Sequence, residues 1–65
     1  MKIESIRENE TKKGKGLSIF SEGEWYSIAP WHSEYFKHFE AGGEVDLEAI
    51  EMKIVEKGNF KNIEP

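Results

Sequence analysis

The chain contains no cysteine, only two histidines and no long apolar run. Without cysteine it can form neither a disulfide nor a zinc site built on thiolates. His32 and His38 have no third ligand nearby at metal-binding spacing, so we predict no metal or other cofactor. No apolar run approaches the roughly 18 residues of a membrane span, and the first residues, MKIESI, lack the apolar stretch of a signal peptide. We therefore expect a cytoplasmic protein that makes no membrane contact.

Acidic residues outnumber basic ones, 13 to 9, and the formal net charge is −4. This balance argues against nucleic-acid binding through a uniformly basic surface, but it leaves room for a local basic groove. The 34% of charged and 12% of aromatic residues suit a folded chain rather than a disordered one. With 65 residues and no internal repeat or linker, the sequence predicts one domain, residues 1–65, that depends on a compact apolar core.

Nothing in the sequence predicts an enzyme. No acidic residue stands beside a nucleophile or a histidine in a recognisable catalytic arrangement. Glu34 and His38 are four residues apart, which is the spacing of a surface pair on a helix. The KGKG segment is too short for a phosphate-binding glycine loop, and no helix follows it. We expect a binding protein without catalytic activity.

Residues 17–28, LSIFSEGEWYSI, alternate like a strand, turn at Glu-Gly and alternate again. With Glu22-Gly23 as a two-residue turn, the pattern predicts a β-hairpin in which Phe20 lies opposite Trp25. One face of this hairpin would join the core through Leu17, Ile19, Tyr26 and Ile28. The other face would carry the Phe20–Trp25 pair, together with two small residues, Ser18 and Ser27.

The flanking segments predict further elements. MKIESIREN indicates a first strand with a bulge or sharp coil, because Ile3 and Ile6 are spaced by three residues rather than two. The polar ETKKGKG segment predicts a loop. After Pro30, aromatic residues at four-residue spacing predict a short helix over residues 32–41, ended by Gly42-Gly43. Four aromatics of this region would plug the core: Trp31, Tyr35, Phe36 and Phe39.

Residues 44–57 admit two interpretations. Apolar residues alternate from Val45 to Ala49 and, in the opposite phase, from Ile50 to Ile54. This favours one long strand with a bulge near Ala49-Ile50. A helix capped by Asp46 is the alternative, because the apolar residues of this segment also suit a period of about 3.6.

Gly58-Asn59 predicts a two-residue turn and a last strand, with Ile54 opposite Ile63 and Glu56 opposite Lys61. The predicted order is therefore strand, strand, strand, helix, strand, strand. An all-β chain with one short helix in this order matches the five-stranded Greek-key barrel of the OB-fold, close to its minimum length. Bulges in the first and fourth strands fit this fold, because a small closed barrel must coil sharply.

Several short segments resemble those of a known family. GKGLSIFSEGEWYSI, a helix, a Gly-Gly, a long acidic strand and KGNFKNI together resemble the small OB-fold single-stranded-DNA-binding proteins of phages and prokaryotes. The resemblance covers nearly the whole chain. It implies a ligand that lies across the second and third strands, between the first-to-second and fourth-to-fifth loops. The cold-shock branch of the fold is less similar, because LSIF lacks the Gly-Phe-Gly-Phe core of its aromatic motifs.

The outward aromatic pair and the nearby lysines form the candidate site. Single-stranded nucleic acid is bound by aromatic side chains that stack on bases and by cations that contact phosphates. Phe20 and Trp25, with Phe60 as a third aromatic, would stack on bases. Ser18 and Ser27 would let the strand approach closely. The candidate phosphate contacts are Lys12, Lys13 and Lys15 in the first loop and Lys57 near the last hairpin. We therefore predict binding of single-stranded DNA or RNA with little sequence preference.

The same patch supports a second hypothesis. A tryptophan opposite a phenylalanine is a favourable cross-strand pair by itself, and outward aromatics of small barrels are often covered by a partner. The Phe20–Trp25 patch would then be a protein-interaction or self-association surface, with a homodimer as the simplest assembly.

Overall fold

The computed structural model describes residues 1–65 as five β-strands and one short 3₁₀ helix. In chain order these are β1 (Ser5–Thr11), β2 (Gly14–Ser21), β3 (Glu24–Ile28), the 3₁₀ helix (Pro30–His38), β4 (Lys53–Lys57) and β5 (Phe60–Glu64). The strands form one sheet of order β1-β2-β3-β5-β4. Neighbouring strands are antiparallel except β3 and β5, which are parallel. The predicted all-β class with one short helix is confirmed, and β1 and β4 are the two edges of an open sheet.

The β2–β3 hairpin has the predicted register. Phe20 pairs with Trp25 and Leu17 with Ile28. Both turn residues have positive φ, 50° at Glu22 and 82° at Gly23. This is the backbone of a type I′ turn, whose twist matches the right-handed twist of the strands that it joins.

The prediction of a loop over residues 10–16 is wrong. β1 continues to Thr11 and β2 begins at Gly14, so that only Lys12 and Lys13 remain in the turn. The Thr11 hydroxyl closes this turn, because it donates to the Gly14 carbonyl at 2.7 Å and accepts from the Lys13 amide at 3.1 Å. Lys15 therefore lies on a strand and not in a loop.

The extended strand is interrupted between Ile3 and β1, as the three-residue spacing of Ile3 and Ile6 predicts. The Ile3 amide donates to Gly43 at 2.9 Å and the Gly42 amide donates to Ile3 at 2.7 Å. One residue later, the Glu4 amide donates to Phe20 instead, at 2.9 Å. This change of partner resets the strand alternation, so that Ile3 is buried and Ile6 partly buried.

The helix is shorter and tighter than predicted. It is a 3₁₀ helix over Pro30–His38 rather than a helix over 32–41, and it is interrupted at His32 (φ −107°, ψ 25°). The prediction that all four aromatics join the core is wrong for Trp31, which is 63% exposed. A four-residue spacing aligns side chains at 3.6 residues per turn but not at three, so Trp31 diverges from Tyr35. The helix is neither long enough nor apolar enough to cross a membrane.

The predicted long strand over residues 44–57 is also wrong, because a capped helical turn interrupts it. The Asp46 carboxylate accepts from the amides of Glu48 and Ala49 at 3.1 and 3.4 Å. At the other end, Glu51 adopts φ 58°, its amide donates to Glu48, and the Met52 amide donates to Leu47. This is the pattern of a Schellman motif. The alternative of a helix over this segment is also wrong, since Asp46 caps only a single turn and β4 begins at Lys53.

The β4–β5 hairpin follows the predicted register. Gly58, with φ 61°, lies in the turn. Ile54 pairs with Ile63 and Glu56 with Lys61. Ile63 is fully buried, whereas Ile54 on the edge strand is 43% exposed.

One face of the sheet packs on the helix and the connecting segments to form the core. Burying each large aliphatic side chain contributes about 1.5–3 kcal/mol. The buried apolar residues are Ile3, Leu17, Ile19, Ile28, Phe39, Val45, Met52 and Ile63. The predicted core face of the β2–β3 hairpin is confirmed, with Tyr26 only partly buried.

Two substitutions at the capped turn are expected to change stability in opposite directions. Asp46→Ala removes the cap and should lower the free energy of unfolding by about 1 kcal/mol. Glu51→Gly relieves the cost of a positive φ and should raise it by up to about 1 kcal/mol. Denaturant unfolding followed by circular dichroism measures both, with Asp46→Asn as the control that keeps a capping side chain. A destabilised Glu51→Gly variant would contradict this account of the turn.

Candidate functional site

Strand alternation sorts the residues of the sheet between the core and the opposite side. We call that opposite side the outer face. Its central residues are Arg7 and Asn9 on β1, Ser18 and Phe20 on β2, Trp25 and Ser27 on β3, Phe60 and Asn62 on β5, and Val55 and Lys57 on β4. The structure therefore brings together on one surface the predicted residues Ser18, Phe20, Trp25, Ser27, Lys57 and Phe60.

Aromatic rings occupy one end of the outer face. The centroids of Phe20 and Trp25 are 4.9 Å apart and their planes are tilted by 48°. Trp25 is 43% and Phe60 73% exposed. Since Ser27 pairs with Asn62 across parallel strands, Phe60 and Trp25 each lie two residues before that pair and are neighbours across the sheet. Three rings are thus available to a ligand on this face.

Arg7 belongs to this site, although the sequence reasoning missed it. Its guanidinium carbon lies 5.1 Å from the centroid of the Trp25 ring, which is a cation–π contact. The register pairs Arg7 with Ser18. A two-residue turn at Lys12-Lys13 predicts this pairing, whereas a loop over residues 10–16 does not.

A strip of small polar groups crosses the middle of the outer face. It consists of Ser18, Ser27 and Asn62 on three adjacent strands. The Asn9 amide group donates to the Ser18 hydroxyl. Small side chains in this strip leave space for a ligand backbone and offer it hydrogen bonds.

A second tryptophan stands at the far end of the outer face. Pro30 covers Gly16, since a Cβ built on that glycine would lie 3.5 Å from the proline ring and only 3.0 Å from the Ile28 carbonyl oxygen. The next residue, Trp31, borders an open groove, and Lys13 lies 5.4 Å from its ring centroid. The groove is lined by Ser27, Ala29, Trp31, His32, Lys57, Asn62 and Glu64.

The four predicted lysines do not share one environment. Lys12 and Lys13 are exposed at the tip of the β1–β2 hairpin. Lys57 lies on the outer face, with its ammonium 3.5 Å from Glu64. Lys15 has the opposite strand parity, and its ammonium lies 3.6 Å from Glu8 and 4.0 Å from Glu10. The structure therefore separates Lys15 from the aromatic residues of the outer face.

The two faces of the sheet differ in charge. Strand positions on the outer face carry three basic residues, Arg7, Lys53 and Lys57, and one acidic residue, Glu64. The opposite parity carries two basic and four acidic residues, which are Lys15, Lys61, Glu8, Glu10, Glu24 and Glu56. A basic outer face thus coexists with a net charge of −4.

An ion pair on the acidic side links β3 to β5. The Lys61 ammonium donates to Glu24, and the Tyr26 hydroxyl donates to the same carboxylate at 3.1 Å. These hydrogen bonds, chiefly that from Lys61, lower the pKa of Glu24. The bond to Glu24 raises the pKa of Lys61, and burial followed by the bond to Glu24 raises the pKa of Tyr26. This cluster bridges β3 and β5, two neighbouring strands of the outer face.

No three histidine, aspartate or glutamate side chains converge as metal ligands would. Comparisons of the chain with protein-family models, with curated proteins and with solved structures find no match.

The Glu24–Lys61 pair predicts a specific pH dependence of stability. The folded-state pKa of Glu24 is lowered, so its carboxylate adds to the free energy of unfolding above about pH 4.3. This stabilisation is lost as the pH falls through the folded-state pKa. The folded-state pKa of Lys61 is raised, so its ammonium adds to the free energy of unfolding below about pH 10.4. This stabilisation is lost as the pH rises through the folded-state pKa.

We expect Lys61→Met to flatten the acid limb of the unfolding free energy against pH. Lys37→Met, at an exposed lysine in the last turn of the helix, is the matched control. Denaturant titrations from acid to neutral pH measure both variants. Identical acid limbs in the two variants would contradict the assigned pair.

Proposed function

We propose that this chain is an OB-fold module that binds single-stranded nucleic acid, DNA or RNA, with little sequence preference. The strand order β1-β2-β3-β5-β4, the parallel β3–β5 contact and the helix between β3 and β4 support this fold. Main-chain hydrogen bonds between residues 1–3 and 42–45 also support it, since they link the segment before β1 to the segment before β4.

The observation that carries the proposed function is the set of exposed aromatic rings on a locally basic face. Core packing does not account for Trp25 or Phe60, since these side chains are 43% and 73% exposed. Burying them against a nucleobase removes apolar area from water, and base stacking contributes about 1–3 kcal/mol per base. Every base presents a π-face, so this binding mode discriminates little between sequences.

The proposed ligand strand crosses β2 and β3 with its bases on the aromatic rings and its phosphates near the cations. Phe20, Trp25 and Phe60 stack on bases, while Ser18 and Ser27 donate hydrogen bonds. Arg7, Lys12, Lys13 and Lys57 contact phosphates. Lys15 is left out of this set, because it lies on the other side of the sheet between two glutamates.

A second candidate function is self-association through the same face. It is favoured by the exposure of Phe60 on that face and by the free edge of β4 beside it. A free edge strand offers unpaired main-chain groups to a second copy. This function requires Trp25 to be covered in solution without any oligonucleotide.

Titration of labelled oligo-dT tests the proposal. We expect salt-sensitive binding, and we expect Trp25→Ala to weaken it by about 5- to 150-fold, the equivalent of one lost stacking contact. Lys37→Ala is the control that removes a charge away from the outer face. Light scattering on the free protein tests the second function in the same samples.

Three outcomes contradict nucleic-acid binding. These are no binding by the wild type, equal binding by the wild type and Trp25→Ala, and binding that salt does not weaken. A dimer at micromolar concentration together with unchanged tryptophan fluorescence would support self-association instead.

A further inference from the structure

Both tryptophans of the chain are exposed, and each has a cation over its ring. Arg7 lies 5.1 Å from the centroid of Trp25 and Lys13 lies 5.4 Å from that of Trp31. Trp31 is the more exposed of the two, at 63%. The core therefore accounts for neither ring, and the same arrangement occurs twice in a small chain.

The polar strip connects the two arrangements. Ser27 lies two residues after Trp25 on β3, or about 7 Å along the strand. Ser27 also lines the groove that Trp31 borders, together with Asn62. A ligand that runs along the strip from Trp25 thus reaches Trp31 without leaving the outer face.

We propose that Trp31 and Lys13 form a second base-stacking station, that is, a second exposed tryptophan with a cation beside its ring. One nucleic-acid strand then spans both tryptophans across Ser18, Ser27 and Asn62. This inference rests on the proposed function. At each station the base displaces the cation from the ring, and the cation moves to the adjacent phosphate. An exposed cation–π contact is weaker than base stacking, so the exchange is favourable.

Two stations on one face make the affinity depend on ligand length. Once one base is bound, the second station meets the same strand at a high effective concentration. An oligo-dT of about three nucleotides is below the minimum site of about four nucleotides per OB-fold, whereas one of about twelve lies within the known range. The longer strand occupies both stations and the shorter one a single station.

Two single-tryptophan variants separate the stations. Trp25→Phe leaves Trp31 as the only tryptophan, and Trp31→Phe leaves Trp25. We expect the long oligo-dT to quench the fluorescence of both variants.

Affinity measurements provide the second arm. We expect Trp31→Ala to weaken binding of the long oligo-dT by about tenfold or more, within the range of one lost stacking contact. It should change binding of the short one much less. Lys13→Ala should weaken binding of the long oligo-dT more than Lys37→Ala, which removes an exposed lysine from the helix. Circular dichroism checks that each variant is folded.

The outcomes distinguish this inference from the function on which it rests. Quenching of Trp25 with no change at Trp31 overturns the second station and leaves nucleic-acid binding in place. Equal loss of affinity for short and long oligonucleotides in Trp31→Ala also overturns it. If neither tryptophan responds to either oligonucleotide, both the inference and the proposed function fail.

Discussion

The register of the β2–β3 hairpin is the constraint on which the other features of this molecule depend. The positive φ angles of Glu22 and Gly23 form a two-residue turn, and this turn leaves one way to pair the strands. Ile19 then enters the core while Phe20 and Trp25 lie outside it. A slip of one residue would exchange these sides, burying the aromatic pair and exposing the aliphatic residues. Each side chain of the hairpin therefore lies either in the core or on the outer face, and the register set by the turn decides which.

The same alternation explains how an acidic chain presents a basic surface. On β1, Glu8 and Glu10 have one parity and Arg7 the other, so neighbours in sequence lie on opposite sides of the sheet. Lys15 and Lys61 have the acidic parity and form ion pairs with glutamates. Arg7 and Lys57 remain on the side of the aromatic rings. Net charge alone argues against a nucleic-acid ligand, whereas the proposed ligand would meet only the basic side of the sheet.

The β2–β3 and β4–β5 hairpins could be predicted from the sequence, because turn chemistry and alternation are local signals. The equally short β1–β2 turn was missed, because its closure depends on the Thr11 hydroxyl. The positions of Arg7 and Lys15 were missed with it. The interruption at Asp46 and the change from an α- to a 3₁₀ helix depend on caps and tertiary packing, to which hydrophobic periodicity is insensitive. The aromatic rings of the site were therefore predictable, whereas one of its four cations, Arg7, was not, and Lys15 was assigned to it wrongly.

Nucleic-acid binding on the outer face is tested most directly by mapping where a single strand of DNA binds. Amide chemical shifts of the isotope-labelled protein, recorded by NMR during titration with oligo-dT, report on every strand at once. The account predicts that shifts concentrate at Arg7, Ser18, Trp25, Ser27 and Asn62, with both indole N–H signals moving. Side-chain signals of residues with the opposite parity, such as Glu8, Ile19 and Glu56, should move little, because these side chains lie on the other side of the sheet. Shifts centred on those acidic and core positions, or no shifts at all, would contradict it.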